Sequence, residues 1–322
     1  MLALTVVLPA LVVPPPAPLI VVGPGSTDVQ FLVSKLAAAA GYRVQCVTRA
    51  ADIPLAERLM YGGAEPVGEP PRFSVQNSQI ASALGSAEAM VLCVAGGKVP
   101  PSTSGIATMM PYAPRLKRIA LLSAIGGSTG ATGGLGEGRL IRSCEKEVAA
   151  TATAAGVELS TVRVGVLKGG GAAEQPTGLA ADAFYASLCA GGYPTPSSIC
   201  AKAYDKQTLG VAVSGGDGVE ARNAALRSST RTSAKRARSP LFEPIATATA
   251  TARSTSAPPP LTNHVRCAAC ADEVSRINAA GALLAVLRHD GPLEVSLSAE
   301  AGDAPPTDER WDQMLAALSA ST

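Results

Sequence analysis

Aromatic side chains are scarce in this 322-residue chain: four Phe, six Tyr and one Trp make up 3% of it, although 47% is hydrophobic. Its core must therefore be built from Ala, Val and Leu. Long apolar runs are also missing. The one candidate, Met1–Val13 within MLALTVVLPALVVPPPAP, is too short to span a bilayer. This argues against an integral membrane protein. A net charge of +2 gives neither the basic excess of a nucleic-acid binder nor an acidic tail. Seven Cys, odd in number and dispersed, do not form the framework of a small secreted disulfide protein, and most read as small buried hydrophobes. With only two His in the chain, no nucleophilic triad is indicated.

What is present begins with LIVVGPGSTDVQFLVSKLAAAAGYRVQCVTR, Leu19–Arg49. An apolar run, Leu19–Val22, stops at Gly23. About a dozen residues at helical spacing follow, then Gly41 and a second apolar run, Val44–Val47. This is the pattern of a βαβ unit, whose strands lie parallel and whose first turn faces the place where dinucleotides bind. The alternation continues with helix Gln79–Leu84, strand Ala89–Ala95, loop Pro100–Pro114, strand Arg118–Ala124, helix Leu140–Ala155 and strand Val157–Val166. The expected fold class is α/β: a doubly wound, mostly parallel Rossmann-like sheet, with a C-terminal extension and a disordered insertion.

Residues 1–18 are set aside as an apolar tail or targeting remnant, and 19–221 form the dinucleotide-binding domain. Residues 222–262, rich in Ser, Thr, Ala and Pro and carrying Arg222, Arg227, Arg231, Lys235, Arg236 and Arg238, read as a disordered insertion. Residues 263–322 supply a helix at Asp272–Leu287, a strand at Leu293–Ser298 and a last helix capped by Thr307, completing the domain. Leu179–Cys189 reads as helical, Ile53–Tyr61 as a short amphipathic piece, and Tyr204–Val213 as an element ending at the Gly215–Gly216 turn.

Gly23 permits the tight turn after the first strand, and Gly25 permits close approach of a pyrophosphate. Ser26 and Thr27 are candidate phosphate donors. A full fingerprint needs a third small residue, but Asp28 or Val29 falls there. Arg49, after the second strand, suits the 2′-phosphate of NADP, because the acid expected of an NAD site is missing and Asp52 comes too late. Ala95 and Gly96 end the next strand and allow close approach to a cofactor. Cys267 and Cys270 with His264 have spacing that could hold a metal or cycle as a dithiol, but no second pair exists, so no metal site is assigned.

The segments VVGPGSTDVQFLVSKLAAAAGYRVQCVTR, MVLCVAGG, RIALLSAIG and STVRVGVLKGGG resemble the atypical short-chain dehydrogenase/reductases, in particular the NmrA-like NAD(P)-binding proteins of plastids. The resemblance covers roughly Leu19–Gly170 and thins beyond it. It implies a dinucleotide, NADP, as cofactor, an unknown small molecule or protein as partner, and a chloroplast location, with the cytoplasm as alternative. It implies that Ser123 occupies the place of the serine that assists the catalytic Tyr, and that Lys146 is a candidate for the ribose. No Tyr occurs between Ser123 and Tyr185, so the Tyr-x-x-x-Lys pair is missing. Two functions follow: an NADP-dependent oxidoreductase, or a non-catalytic scaffold for assembly in photosystems.

Overall fold

A computed structural model describes residues 18–23, 27–48, 72–74, 77–94, 104–128, 137–168, 210–218, 273–300, 302 and 304–320. The calls on the N-terminal tail before Pro18, Ile53–Tyr61, Leu179–Cys189, the 222–262 insertion, and Cys267 and Cys270 with His264 lie outside these residues; Pro18, expected in the tail, is instead the first residue of the sheet, paired with Arg43.

Ten strands and six α-helices are seen among the described residues. β1 (Pro18–Val22) leads through α1 (Thr27–Ala39) to β2 (Arg43–Val47). β3 (Arg72–Ser74), α2 (Asn77–Ser86) and β4 (Ala89–Cys93) follow. A short helix α3 (Ser104–Met109), running into a 3₁₀ turn (Met110–Tyr112), precedes β5 (Arg118–Ala124). Then come α4 (Glu137–Ala155), β6 (Glu158–Val164), β7 (Val166–Lys168) and β8 (Gly210–Gly215). β9 (Glu273–Ser275), α5 (Arg276–Arg288), β10 (Glu294–Glu300) and α6 (Asp308–Ser319) end the fold.

The main sheet has the order β3-β2-β1-β4-β5-β6-β10-β8. All neighbours are parallel except β10 and β8. The first six strands have the order of a Rossmann fold, with the topological switch between β1 and β4. Parallel strands covered on both faces must be apolar on both, which is why β1, β4 and β5 read as unbroken hydrophobic runs. Leu19 and Val21 join a cluster formed with α1, α5 and α6, whereas Ile20 joins another formed with α2, α3 and α4. Aliphatic packing dominates both. The single Trp, Trp311 of α6, lies against Gly281 of α5, where a Cβ would approach its Nε1 to 2.9 Å. Gly281 thus lets α6 dock closely.

Three elements depart from the sequence expectation. Asp272–Leu287 is not one helix: Glu273–Ser275 is extended and pairs with β7, and Ser275 caps α5 by accepting a hydrogen bond from the Asn278 N–H at 3.2 Å. The local cap outweighs the apolar spacing that would carry the helix further back. Val157–Val166 divides at Gly165 into β6 and β7, which join different sheets. The loop expected at Pro100–Pro114 contains α3, whose Ile106 is buried against the second cluster. β10 comes from the C-terminal segment and inserts between β6 and β8.

Candidate functional site at the carboxyl ends of the strands

The parallel strands β1, β2, β4, β5 and β6 end on one edge of the sheet. Two groups of polar side chains gather there. The first lies where β1 meets α1. Gly23 follows β1, and four residues into α1 stands Gln30, fully buried. Its Nε2 donates to the Val21 carbonyl at 3.3 Å, to the Val47 carbonyl and to the Cys46 Sγ at 3.3 Å, tying together the ends of β1 and β2. A Cβ on Gly23 would lie 2.9 Å from both Gln30 Cβ and Gln30 Oε1. Glycine is therefore required at 23 for this side chain to fit under the turn. Gln30 Oε1 is buried and has no hydrogen-bond partner. An unsatisfied buried acceptor costs about 1–3 kcal/mol.

The second group lies at the carboxyl ends of β5 and β6 and at the start of the neighbouring β10. Arg163 faces the α4 side of the sheet with its side chain only 4% exposed. Its Nε and Nη2 donate to the two oxygens of Glu145 on α4 at 3.2 and 3.1 Å. Its Nη1 donates to Glu294 at 2.8 Å, and Asp217 stands 3.7 Å from Nε. Burial by itself would lower the Arg163 pKa. The hydrogen bonds and charges of Glu145 and Glu294 outweigh it and raise the pKa above the ordinary arginine value. Ser123, fully buried, donates its hydroxyl to Glu145. Register makes this cluster a row: Ser123 of β5 pairs with Arg163, Arg163 with Ser296 of β10, and Ser296 with Ser214 of β8.

Asp217 connects this row to the loop after β5. It lies between Gly216 and Gly218, both at positive φ (78° and 71°), in the turn after β8. From there it accepts hydrogen bonds from the Gly126 N–H at 2.6 Å and from the Ser128 hydroxyl. Gly127 is equally constrained, since a Cβ there would stand 2.5 Å from Glu145 Oε1 and 2.8 Å from the Ala124 carbonyl.

Ser123 and Lys146 are not brought together. Glu145, the neighbour of Lys146, turns inward to the serine, and Lys146 is exposed on the outer side of α4. Gly23 is at the turn after β1, and Thr27 opens α1. Gly25, Ser26, Arg49, Ala95 and Gly96, together with Asp52, lie outside the described residues. Sequence reasoning passed over Gln30, Glu145, Asp217 and Glu294 as site residues. A signal was available for their hub: an arginine amid the β-branched residues of STVRVGV is a charge in a buried strand and requires acidic partners. Nothing comparable marks Gln30, whose spacing is that of any amphipathic helix.

The described residues fit a dinucleotide in backbone terms: a glycine after β1, then the start of a long helix beside the switch point. They hold no group of three or more His, Cys, Asp and Glu side chains that could bind a metal, and no helix long and apolar enough to cross a membrane.

No protein-family model matches this chain, and no curated protein matches it. Solved structures do. It is similar to a wide-type short-chain dehydrogenase/reductase from Veillonella parvula in complex with NADP, at 11% identity and a TM-score of 0.45 over 90% of this chain and 99% of that one. It is similar to vestitone reductase from alfalfa (Medicago sativa) at 12% identity and a TM-score of 0.34, over 53% of this chain and 63% of that one. BdcA in complex with NADPH is matched at 14% identity and a TM-score of 0.34, over 50% of this chain and 76% of that one. The chain thus spans less than two thirds of the alfalfa reductase. The strand order itself places the chain among the Rossmann-like α/β folds.

Proposed function

We propose that this chain binds NADP at the carboxyl edge of its sheet and acts as an NADP-dependent oxidoreductase of the atypical, NmrA-like kind on a small molecule. One observation carries the nucleotide half of this reading: the β1–α1 turn, built around Gly23, lies beside the switch point between β1 and β4. Arg49 gives the preference for NADP, because its charge matches a 2′-phosphate. Ser123, at the end of β5, is the hydroxyl this reading assigns to the substrate; it is buried and donates to Glu145, so it would have to exchange that partner for the substrate oxygen. The chemistry NADP supplies when bound is hydride transfer. What the chain contributes is the glycine turn, the helix start and the hydroxyl.

Fluorescence titration with NADPH and NADH tests this. Binding of NADPH at micromolar to sub-millimolar levels, tighter than NADH, supports it. No binding of either at millimolar levels overturns it. Turnover of a carbonyl panel with NADPH, lost in Ser123→Ala, supports the oxidoreductase half.

The arrangement of Ser123 favours a second reading, a non-catalytic scaffold in the plastid. Its hydroxyl is committed to Glu145, Lys146 points away, and no Tyr is available on α4. Nucleotide binding without turnover of any carbonyl would favour this reading over the first.

A further inference from the structure

The buried oxygen of Gln30 is a polar group the fold itself does not satisfy. Its orientation follows from its partners. Turning the amide over would set Oε1 against the carbonyl oxygens of Val21 and Val47, so Nε2 must face the strand ends. Oε1 is then held beside Gly23, at the start of α1, without a donor. A helix start suits an anion, but a carbonyl oxygen does not. It requires an O–H or N–H.

The chain is also short of one acceptor. Where an NAD site carries an acid after β2 to take the ribose hydroxyls, this sequence has Thr48 and Arg49. Gln30 reaches the end of that same strand from the helix, through Val47. In NADP the 2′ position of the adenosine ribose carries a phosphate, which leaves the 3′-hydroxyl as the donor.

On the reading that this edge binds NADP, we infer that Gln30 Oε1 accepts a hydrogen bond from the 3′-hydroxyl of the adenosine ribose, replacing from α1 the acid missing after β2. Gln30 is thus both a strut between β1 and β2, through Nε2, and a specificity residue, through Oε1. The ligand class is a nucleotide with a free 3′-hydroxyl.

The test compares binding of NADP and its 3′-deoxyadenosine analogue by calorimetry, on the wild-type chain and on Gln30→Met. The wild type should bind the analogue about tenfold more weakly, the scale of one hydrogen bond to a buried acceptor. Gln30→Met should weaken NADP by a similar factor and no longer tell the two apart. Because Gln30→Met also removes the strut, a second measurement uses the wild type alone: the Gln30 side-chain carbonyl ¹³C resonance should shift on adding NADP and stay in place on adding the 3′-deoxy analogue. Equal affinity of the wild type for both ligands, or an unchanged discrimination in Gln30→Met, overturns the assignment and leaves nucleotide binding intact. Failure of the wild type to bind NADP at all overturns the nucleotide reading and the assignment with it.

Discussion

The two ends of the site edge solve the problem of buried polarity in opposite ways. At β1 and β2 a single neutral amide satisfies three neighbours through its nitrogen and leaves its oxygen unpaired. At β5, β6 and β10 a single cation meets three carboxylates, and a serine hydroxyl adds to them. The first arrangement has spare capacity for a donor. The second has little: the Ser123 hydroxyl is given to Glu145, and both Glu145 oxygens already accept from Arg163. A side chain that is complete within the protein serves to hold the fold, whereas one left incomplete is available to a ligand. The contrast marks the β5–β6 end as a rigid hub and, on the NADP proposal, the β1–β2 end as the one with an acceptor left to offer.

The largest effect should come from the charged end. Arg163→Met leaves Glu145 and Asp217, 11% and 16% exposed, without a counter-charge and should cost about 3 kcal/mol, measured by urea denaturation. Glu294→Gln, at a side chain 63% exposed, should cost under about 1 kcal/mol. Equal costs for the two would remove the distinction between a buried hub and its outer partner.

Next comes ligand linkage. NADP at a hundredfold excess over its Kd should stabilise the wild type by about 2.7 kcal/mol. At the same NADP concentration the increment should survive Glu145→Gln and shrink in Gln30→Met. An increment that Glu145→Gln removes would put the nucleotide at the other end of the edge.

Packing around the loop after β5 gives a third comparison. Gly127→Ala must displace Glu145 Oε1 or the Ala124 carbonyl and should cost about 1–3 kcal/mol. Gly215→Ala, with open space at its Cβ and no positive φ, should be near neutral. A Gly127→Ala variant as stable as wild type would mean that the Glu145 carboxylate is not held against this loop.

The smallest effect at ordinary pH concerns the thiols. Burial raises Cys46 to about 12 and Cys144 to about 11, and raises Cys93 as well, from an ordinary 9.0. In each, burial is the leading cause, and the folded state favours the protonated form. Their contribution is therefore fully present below pH 9 and is lost as pH rises through 11 to 12. Lys35, whose pKa burial lowers, works in the opposite direction, and three thiols should outweigh one amine. At pH 8 these three cysteines should resist iodoacetamide until the chain unfolds, as peptide mapping would show. Rapid labelling of Cys46 in the native chain would mean that the β1–β2 end is open.

Local pattern carried the left half of the sheet. β5 was legible residue for residue, because Arg118–Ala124 is an apolar run between polar flanks, and the Thr307 cap defined α6. β3 escaped notice: three residues carry no periodicity, and their pairing with β2 is a long-range event. The start of α5 was misread because apolar spacing says nothing about a cap that competes with it. Of the site, Gly23 and Ser123 were legible from their places after strands. Glu145 was not, since a glutamate on an amphipathic helix is ordinarily solvated. Only register with β5 and β6 shows that it faces Ser123 and Arg163 rather than water.

By itself the sequence determined the alternation of strands and helices, the glycine after β1 and the missing Tyr. Each depends on composition or spacing within one short segment. The tertiary structure decided which buried polar groups meet. Arg163 draws partners from α4, the turn after β8 and the start of β10, up to 131 residues apart along the chain. At this edge it also left an acceptor without a donor: the amide of Gln30 has its nitrogen used up by two neighbouring strand ends. Its oxygen is left beside Gly23 because a parallel sheet brings those ends together at one edge.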